Sequence, residues 1–217
     1  LQRTGVTKTL ISSSGGNAGL AVAVAGAQLG MPVQVIVPTT TKQLVIDKLQ
    51  RLGADVTVFG ENWNAADVLA RQRVGDDPYG ASAYISPYDN PLLWTGHSTV
   101  IDEMERQLQA AAAAAAASGA GSTPAAPAAV ILSVGGGGLI CGVLEGLERR
   151  GLTACAVIGA ETTGASSFGQ AFQAGKVVRL AGIDSIATSL GALQVTPAAL
   201  ERAAKHKKAG GTVLSAI

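Results

Sequence analysis

An α/β fold of open, mostly parallel twisted sheets with helices on both faces is what this 217-residue sequence predicts, on three observations. Short runs rich in Val, Ile and Leu recur along the chain, as strands buried on both faces require. Each run leads through a turn of small residues into a stretch with helical periodicity, the order of strand and crossover helix in a doubly wound sheet. The 28 glycines, set against only 4% aromatic residues, suit tight strand-to-helix turns and close backbone approach to a ligand better than an aromatic binding face.

The apolar runs place strands at residues 9–13, 33–37, 55–59, 83–85, 130–134 and 156–160. Helices fill the intervals. The first covers 18–29 and is closed by Gly30, where a left-handed residue is needed. A second covers 42–52, with Leu44, Val45, Lys48, Leu49 and Leu52 on overlapping helical faces and Gly53 as its stop. Others are expected at 64–73, from Pro91 to about 109, and at 139–149. Residues 110–129 break the pattern, being almost entirely Ala with Ser, Gly, Thr and Pro. Alanine extends helices readily, so the preceding helix is expected to run on to about Ala117 before Gly119, Gly121 and Pro124 end it in a surface loop.

A hydrophobic content of 47% and a mean hydropathy of +0.32 imply a well-filled core and argue against disorder. The formal charge of +1 offers no basic cluster to neutralise a row of phosphates, so no nucleic-acid partner is expected. The densest cationic run, Lys205 to Lys208, reads as the solvated C-terminal end of a helix. Cys141 and Cys155 have neither metal-ligand spacing nor disulfide density, which fits packing residues in a reducing, cytoplasmic setting. Every apolar run is much shorter than the roughly 20 residues that span a bilayer. No membrane partner is expected; a signal peptide is not visible, although Leu1 is not an initiator methionine and a missing start could hide one.

Three stretches carry chemistry. Ser12-Ser13-Ser14-Gly15-Gly16-Asn17-Ala18-Gly19 lies between a strand and a helix, where backbone N–H groups attract anions and small residues let a carboxylate approach. It reads either as an anion pocket with Asn17 as a polar handle or as an ordinary helix cap. The run from Ser133 to Gly142 holds Gly135, Gly136, Gly137 and Gly138 at another such junction. Four successive glycines cost unfolded-state entropy, which a phosphate cradle explains. A dinucleotide competes for that site, since Glu161 ends the next strand at about the right distance, although the third glycine of the fingerprint falls on Ile140 or Cys141. The third stretch runs from Pro87 to Thr99. There Asp89 or Asn90 can cap a helix beginning at Pro91, and His97 reads as a core or helix-face histidine before it reads as a catalytic base.

In this order and separation the three stretches resemble fold-type II pyridoxal-phosphate (PLP) enzymes of tryptophan synthase beta-like fold, and among them the L-serine dehydratase and L-threonine deaminase family. The run Pro87-Tyr88-Asp89-Asn90-Pro91-Leu92-Leu93-Trp94-Thr95-Gly96-His97 and the segment Gly159 to Phe168 carry the family-specific part. The resemblance implies that Ser14, Gly15 and Ala18 hold the substrate carboxylate and that Asn17 bonds the 3′-oxygen of the cofactor. It also assigns the cofactor phosphate to Gly135, Gly136, Gly137, Gly138 and Leu139. A monovalent cation, K⁺, falls by position on carbonyls of Gly135, Ala165, Leu190 and Ala192. The implied activity is β-elimination of L-serine or L-threonine to a 2-oxo acid and ammonia, in a homodimer. The implied domains are a large PLP domain from residues 1–34 and 129–217, and a small domain at 35–128 that ends in the alanine-rich insertion at 110–129.

The family's Schiff-base lysine lies in a Ser-Phe-Lys type motif upstream of the asparagine loop, before this sequence starts. Lys8, in Thr7-Lys8-Thr9, does not match that motif. The expectation is therefore a fragment or truncated product, inactive as given, of a complete protein that is the enzyme. A non-catalytic PLP- or phosphate-binding remnant and a β-replacement enzyme of the cysteine synthase type stand beside that reading.

Overall fold

The computed structural model describes residues 8–119, 126–187 and 190–217. By contact the chain divides into two compact units, Leu1–Pro87 and Tyr88–Ile217.

The first unit is a four-stranded, all-parallel sheet of β1 (Thr9–Ser12), β2 (Val33–Val37), β3 (Asp55–Val58) and β4 (Ser82–Tyr84). Helices α1 (Asn17–Leu29), α2 (Gln43–Arg51) and α3 (Trp63–Gly75) connect the strands. Because strand side chains alternate between faces, Val35 and Val37 pack with Ala23 of α1 and Leu49 of α2, whereas Ile11 and Ile36 pack with Ala66 and Ala70 of α3. Both faces are thus covered by helices. The strand order is β3-β2-β1-β4: the chain steps outward from β1 to β3, then returns through α3 to the other side of β1. Such a reversal leaves a crevice at the carboxyl ends of the two strands beside it, here β1 and β4.

The second unit contains α4 (Pro91–Ser118), β5 (Ala129–Ser133), α5 (Gly138–Arg149), β6 (Ala156–Ala160), α6 (Ser167–Ala174), α7 (Pro197–Lys208) and β7 (Val213–Ala216). Its strands are parallel in the order β5-β6-β7. Val130, Leu132 and Val157 meet α5, α6 and α7 in one core that includes Ile140, Leu147, Phe168 and Ala203. The opposite face of this sheet leaves Ile131 and Leu214 exposed. Helices α4 and α5 pack closely because Gly142 and Gly146 are bare: a Cβ on Gly142 would lie 2.4 Å from the Cβ of His97, and one on Gly146 would lie 2.7 Å from Ser98 O.

The strands at 33–37 and 156–160 coincide with expectation; β1 and β3 end one residue earlier, and β4 and β5 are shifted by one residue. Gly30 (φ 63°), Gly53 (φ 83°) and Gly119 (φ 69°) adopt the left-handed conformation expected of helix stops. Helix α4 runs through the alanines to Ser118; Gly121 and Pro124 lie outside the described residues. Within the first unit β1 shares a sheet with β2 and β4, and within the second α4 packs on α5 where glycines permit close contact.

Candidate functional site: two strand-to-helix junctions

In the second unit, the tetraglycine run joins β5 to α5. Gly137 is the N-cap of α5, at φ 92°, and no side chain caps that helix. The N–H groups of Gly135 through Leu139 have no hydrogen-bond acceptor among the described residues. They form a row of backbone donors at the start of a 12-residue helix, with no basic residue in the run, which is a donor set suited to an anion. Packing requires the glycines as well. A Cβ on Gly135 would lie 2.0 Å from Leu190 O, one on Gly136 2.3 Å from Cγ of Tyr88, and one on Gly138 2.9 Å from Tyr88 Cα. Close packing against Leu190 and Tyr88 therefore also calls for glycine at these positions.

A small network fixes this loop from behind. Thr196 donates its N–H to Gly136 O at 2.9 Å and its hydroxyl to Asp89 Oδ1 at 2.7 Å. The indole Nε1 of Trp94 donates to Tyr88 O at 2.7 Å. Asn90, not Asp89, caps α4, accepting from Leu92 N–H at 2.9 Å. Asp89 is thereby left to anchor Thr196. Sequence reasoning missed Thr196, although Thr before Pro197 at a helix start is a recognisable signal.

In the first unit, the junction between β1 and α1 occupies the switch-point crevice. Gly16 is the extended N-cap of α1, without a side-chain cap. Ser14 Oγ accepts from Gly16 N–H at 3.3 Å, whereas the N–H groups of Gly15 and Ala18 have no acceptor among the described residues. Asn17 is exposed. Gly19 is compelled by crowding, since its Cβ would lie 1.9 Å from Ser14 O. Beneath the loop, buried Ser13 donates to Asp67 Oδ1 at 2.7 Å, Tyr84 also donates to Asp67, and Arg71 pairs with Asp67 Oδ2 at 2.8 Å. Burial pushes the Asp67 carboxyl up, but hydrogen bonds from Arg71, Tyr84 and Ser13 outweigh it and hold it below its ordinary value. Burial, and then Asp67, push the Tyr84 phenol up. Sequence reasoning missed this cluster: Asp67 and Arg71 are an i,i+4 pair that a helix pattern can show, but nothing in such a pattern links Asp67 to Ser13, 54 positions away, or Ser13 to Tyr84, 71 positions away.

Three weighed residues receive structural roles. Glu161, the acid that a dinucleotide would need, is buried and accepts from Phe168 N–H at 2.8 Å, Gly169 N–H at 2.6 Å and Ser215 Oγ at 3.3 Å. It caps α6, with burial raising its carboxyl against those bonds. His97 is half-buried over Gly142 in the α4–α5 contact, and burial lowers its basicity. Lys8 donates to Gly80 O at the end of β1 opposite the Ser14 loop. Among the described residues, no group of three or more His, Cys, Asp or Glu could hold a metal ion, and no helix is long and apolar enough to cross a membrane.

The chain thus falls in the class of α/β proteins whose side-chain-poor strand-to-helix turns offer backbone donors to anionic groups. Residues 1–215 match the protein family described as "Pyridoxal-phosphate dependent enzyme", and the chain belongs to that family. It is 41% identical over 196 residues to the L-serine dehydratase/L-threonine deaminase of Homo sapiens, covering 90% of this chain and 55% of that one. It is 37% identical over 201 residues to the catabolic L-serine/threonine dehydratase of Saccharomyces cerevisiae, covering 91% and 53%. A fungal L-serine ammonia-lyase from Rhizomucor miehei superposes with a TM-score of 0.81 at 32% identity, over 100% of this chain and 62% of that one. The chain spans about half the length of the curated relatives it matches. The family is pyridoxal-phosphate dependent, and the donor row from Gly135 to Leu139 fits a phosphate group.

Proposed function

We propose that the protein expressed from its complete coding sequence catalyses PLP-dependent β-elimination of L-serine and/or L-threonine, giving a 2-oxo acid and ammonia. The observation that carries this reading is the row of five adjacent backbone donors, Gly135 to Leu139, at the start of α5, in a chain whose relatives include an L-serine dehydratase/L-threonine deaminase at 41% identity. Bound PLP would supply an electron sink for the pair released when the α-proton leaves the substrate. The backbone N–H groups of Gly135, Gly136, Gly137, Gly138 and Leu139 hold its phosphate without any lysine. Asn17 bonds the ring oxygen. Ser14, Gly15 and Ala18 bind the substrate carboxylate and so orient the bond to be broken.

Carbonyl groups of Gly135, Ala165, Leu190 and Ala192 hold a monovalent cation, K⁺, in the same proposal. Its support is the closeness of Leu190 O to Gly135. A homodimer and a cytoplasmic setting complete the reading, the latter resting on Cys141 and Cys155 as buried free thiols. The test is to incubate that complete protein with PLP and L-serine and measure pyruvate and ammonia in equal amounts. A protein that binds PLP but releases neither product from serine or threonine would overturn the proposal.

A further inference from the structure

From the cluster beneath the Ser14 loop we infer that Asp67 is a positioning residue for that loop: it clamps Ser13 to Tyr84 across the switch-point crevice and so fixes the backbone donors that follow. This rests on the proposed carboxylate-binding role of Ser14, Gly15 and Ala18.

Three elements meet at one carboxylate. Ser13 directly follows β1, Tyr84 ends β4 and Asp67 lies on α3. Oδ1 of Asp67 accepts from both Ser13 Oγ, at 2.7 Å, and Tyr84 OH, and the two hydroxyls are themselves 3.3 Å apart. β1 and β4 are paired only as far as Ile11 and Tyr84, with one further bond from Ile85 N–H to Ile11 O. Beyond that point the side chains of Ser13 and Asp67 continue the tie that the ladder no longer provides. Ser13 is fully buried and adjoins Ser14, so its rotamer and the φ and ψ values that aim the next donors are set together.

A carboxylate directly behind an anion-binding loop would by itself repel the substrate. Arg71 answers this. Its Nε lies 2.8 Å from Asp67 Oδ2, and its guanidinium lies over the Tyr84 ring at 4.2 Å. The clamp is therefore close to neutral, and Asp67 can act as an acceptor without opposing an anion.

The test uses protein from the complete coding sequence and compares Ser13→Ala, Asp67→Ala and Asp67→Asn with wild type. Ser13→Ala removes one hydroxyl and protects the experiment against a misfolded Asp67→Ala. Expected for Ser13→Ala and Asp67→Ala is a rise in KM for L-serine of about tenfold with kcat within about twofold. Asp67→Asn, which still accepts from both hydroxyls, should recover most of the loss. Hydrogen exchange on the PLP-free protein supplies a readout independent of turnover: peptides covering 14–18 should exchange several-fold faster in Asp67→Ala, while those covering 135–139 should not change. Unaltered KM and unaltered exchange at 14–18 would overturn the inference, as would faster exchange spread over the whole first unit with kcat and KM falling together. If wild type turns over no serine, the proposed activity fails, and the exchange comparison still decides whether Asp67 holds the loop.

Discussion

Thr196 donates its hydroxyl to Asp89 at 2.7 Å across 107 positions of sequence, while its N–H holds Gly136 O at 2.9 Å. One residue, 2% exposed, therefore ties the segment before α4 to the tetraglycine loop. Both bonds leave the loop's own N–H groups free to face an anion. Thr196→Val keeps the branched shape and the backbone bond but leaves the Asp89 carboxylate without this donor, a change worth about 1.5–3 kcal/mol when such a bond is lost in a buried place. Expected is PLP binding about tenfold weaker, read by titrating cofactor absorbance in the protein from the complete coding sequence.

Gly136→Ala places a methyl group 2.3 Å from Cγ of Tyr88. Tyr88 O is held by the Trp94 indole, which restrains the backbone from retreating. A stability loss of about 1–3 kcal/mol follows from overpacking, together with displacement of the donor row. Urea unfolding should show the first and cofactor titration the second.

The two hydrogen-bonded carboxylates, half-buried Asp67 and buried Glu161, should show opposite dependence on pH. Asp67 is held below its ordinary 3.8, so its contribution to stability is present above that value and is lost as pH falls through the depressed folded value. Glu161 is raised above 4.5, with burial as the main cause, so its environment favours folding below 4.5 and that advantage is lost as pH rises through the raised folded value. Urea unfolding across acidic pH should therefore show the stability lead of wild type over Asp67→Asn shrinking toward low pH. Its position relative to Glu161→Gln should worsen as pH climbs from 4.5.

His97→Gln should leave serine turnover within about twofold and lower the melting temperature by a few degrees, since the half-buried ring packs in the α4–α5 contact and losing such packing costs about 1 kcal/mol. A loss of kcat of a hundredfold or more would return His97 to the catalytic machinery.

Much of the scaffold was legible because its signals are local. Val33 to Val37 is an apolar run broken only by Gln34, Gly30 and Gly53 stop helices, and Asn90-Pro91 opens one; each depends on neighbours within a turn or a strand. The two junctions were legible for the same reason, as clusters of small residues after strands. Helix α6 and strand β7 were not: α6 has eight residues and begins inside the segment Gly159 to Phe168, which carries the family resemblance, and β7 contributes only four. The residues that hold the junctions in place, Thr196 to Asp89 and Asp67 to Ser13 and Tyr84, stayed hidden because their partners meet only through the fold. Glu161 shows the converse error, in which correct spacing for a nucleotide-binding acid is met by a residue that caps a helix instead.

A crystal structure of the PLP-bound protein, expressed from the complete coding sequence, tests the central claim most directly. The account predicts phosphate oxygens within hydrogen-bond distance of the N–H groups of Gly135 to Leu139, and the Asn17 side chain on the oxygen of the same pyridine ring. A phosphate held by lysine or arginine side chains away from α5, or a cofactor out of reach of Asn17, would contradict it.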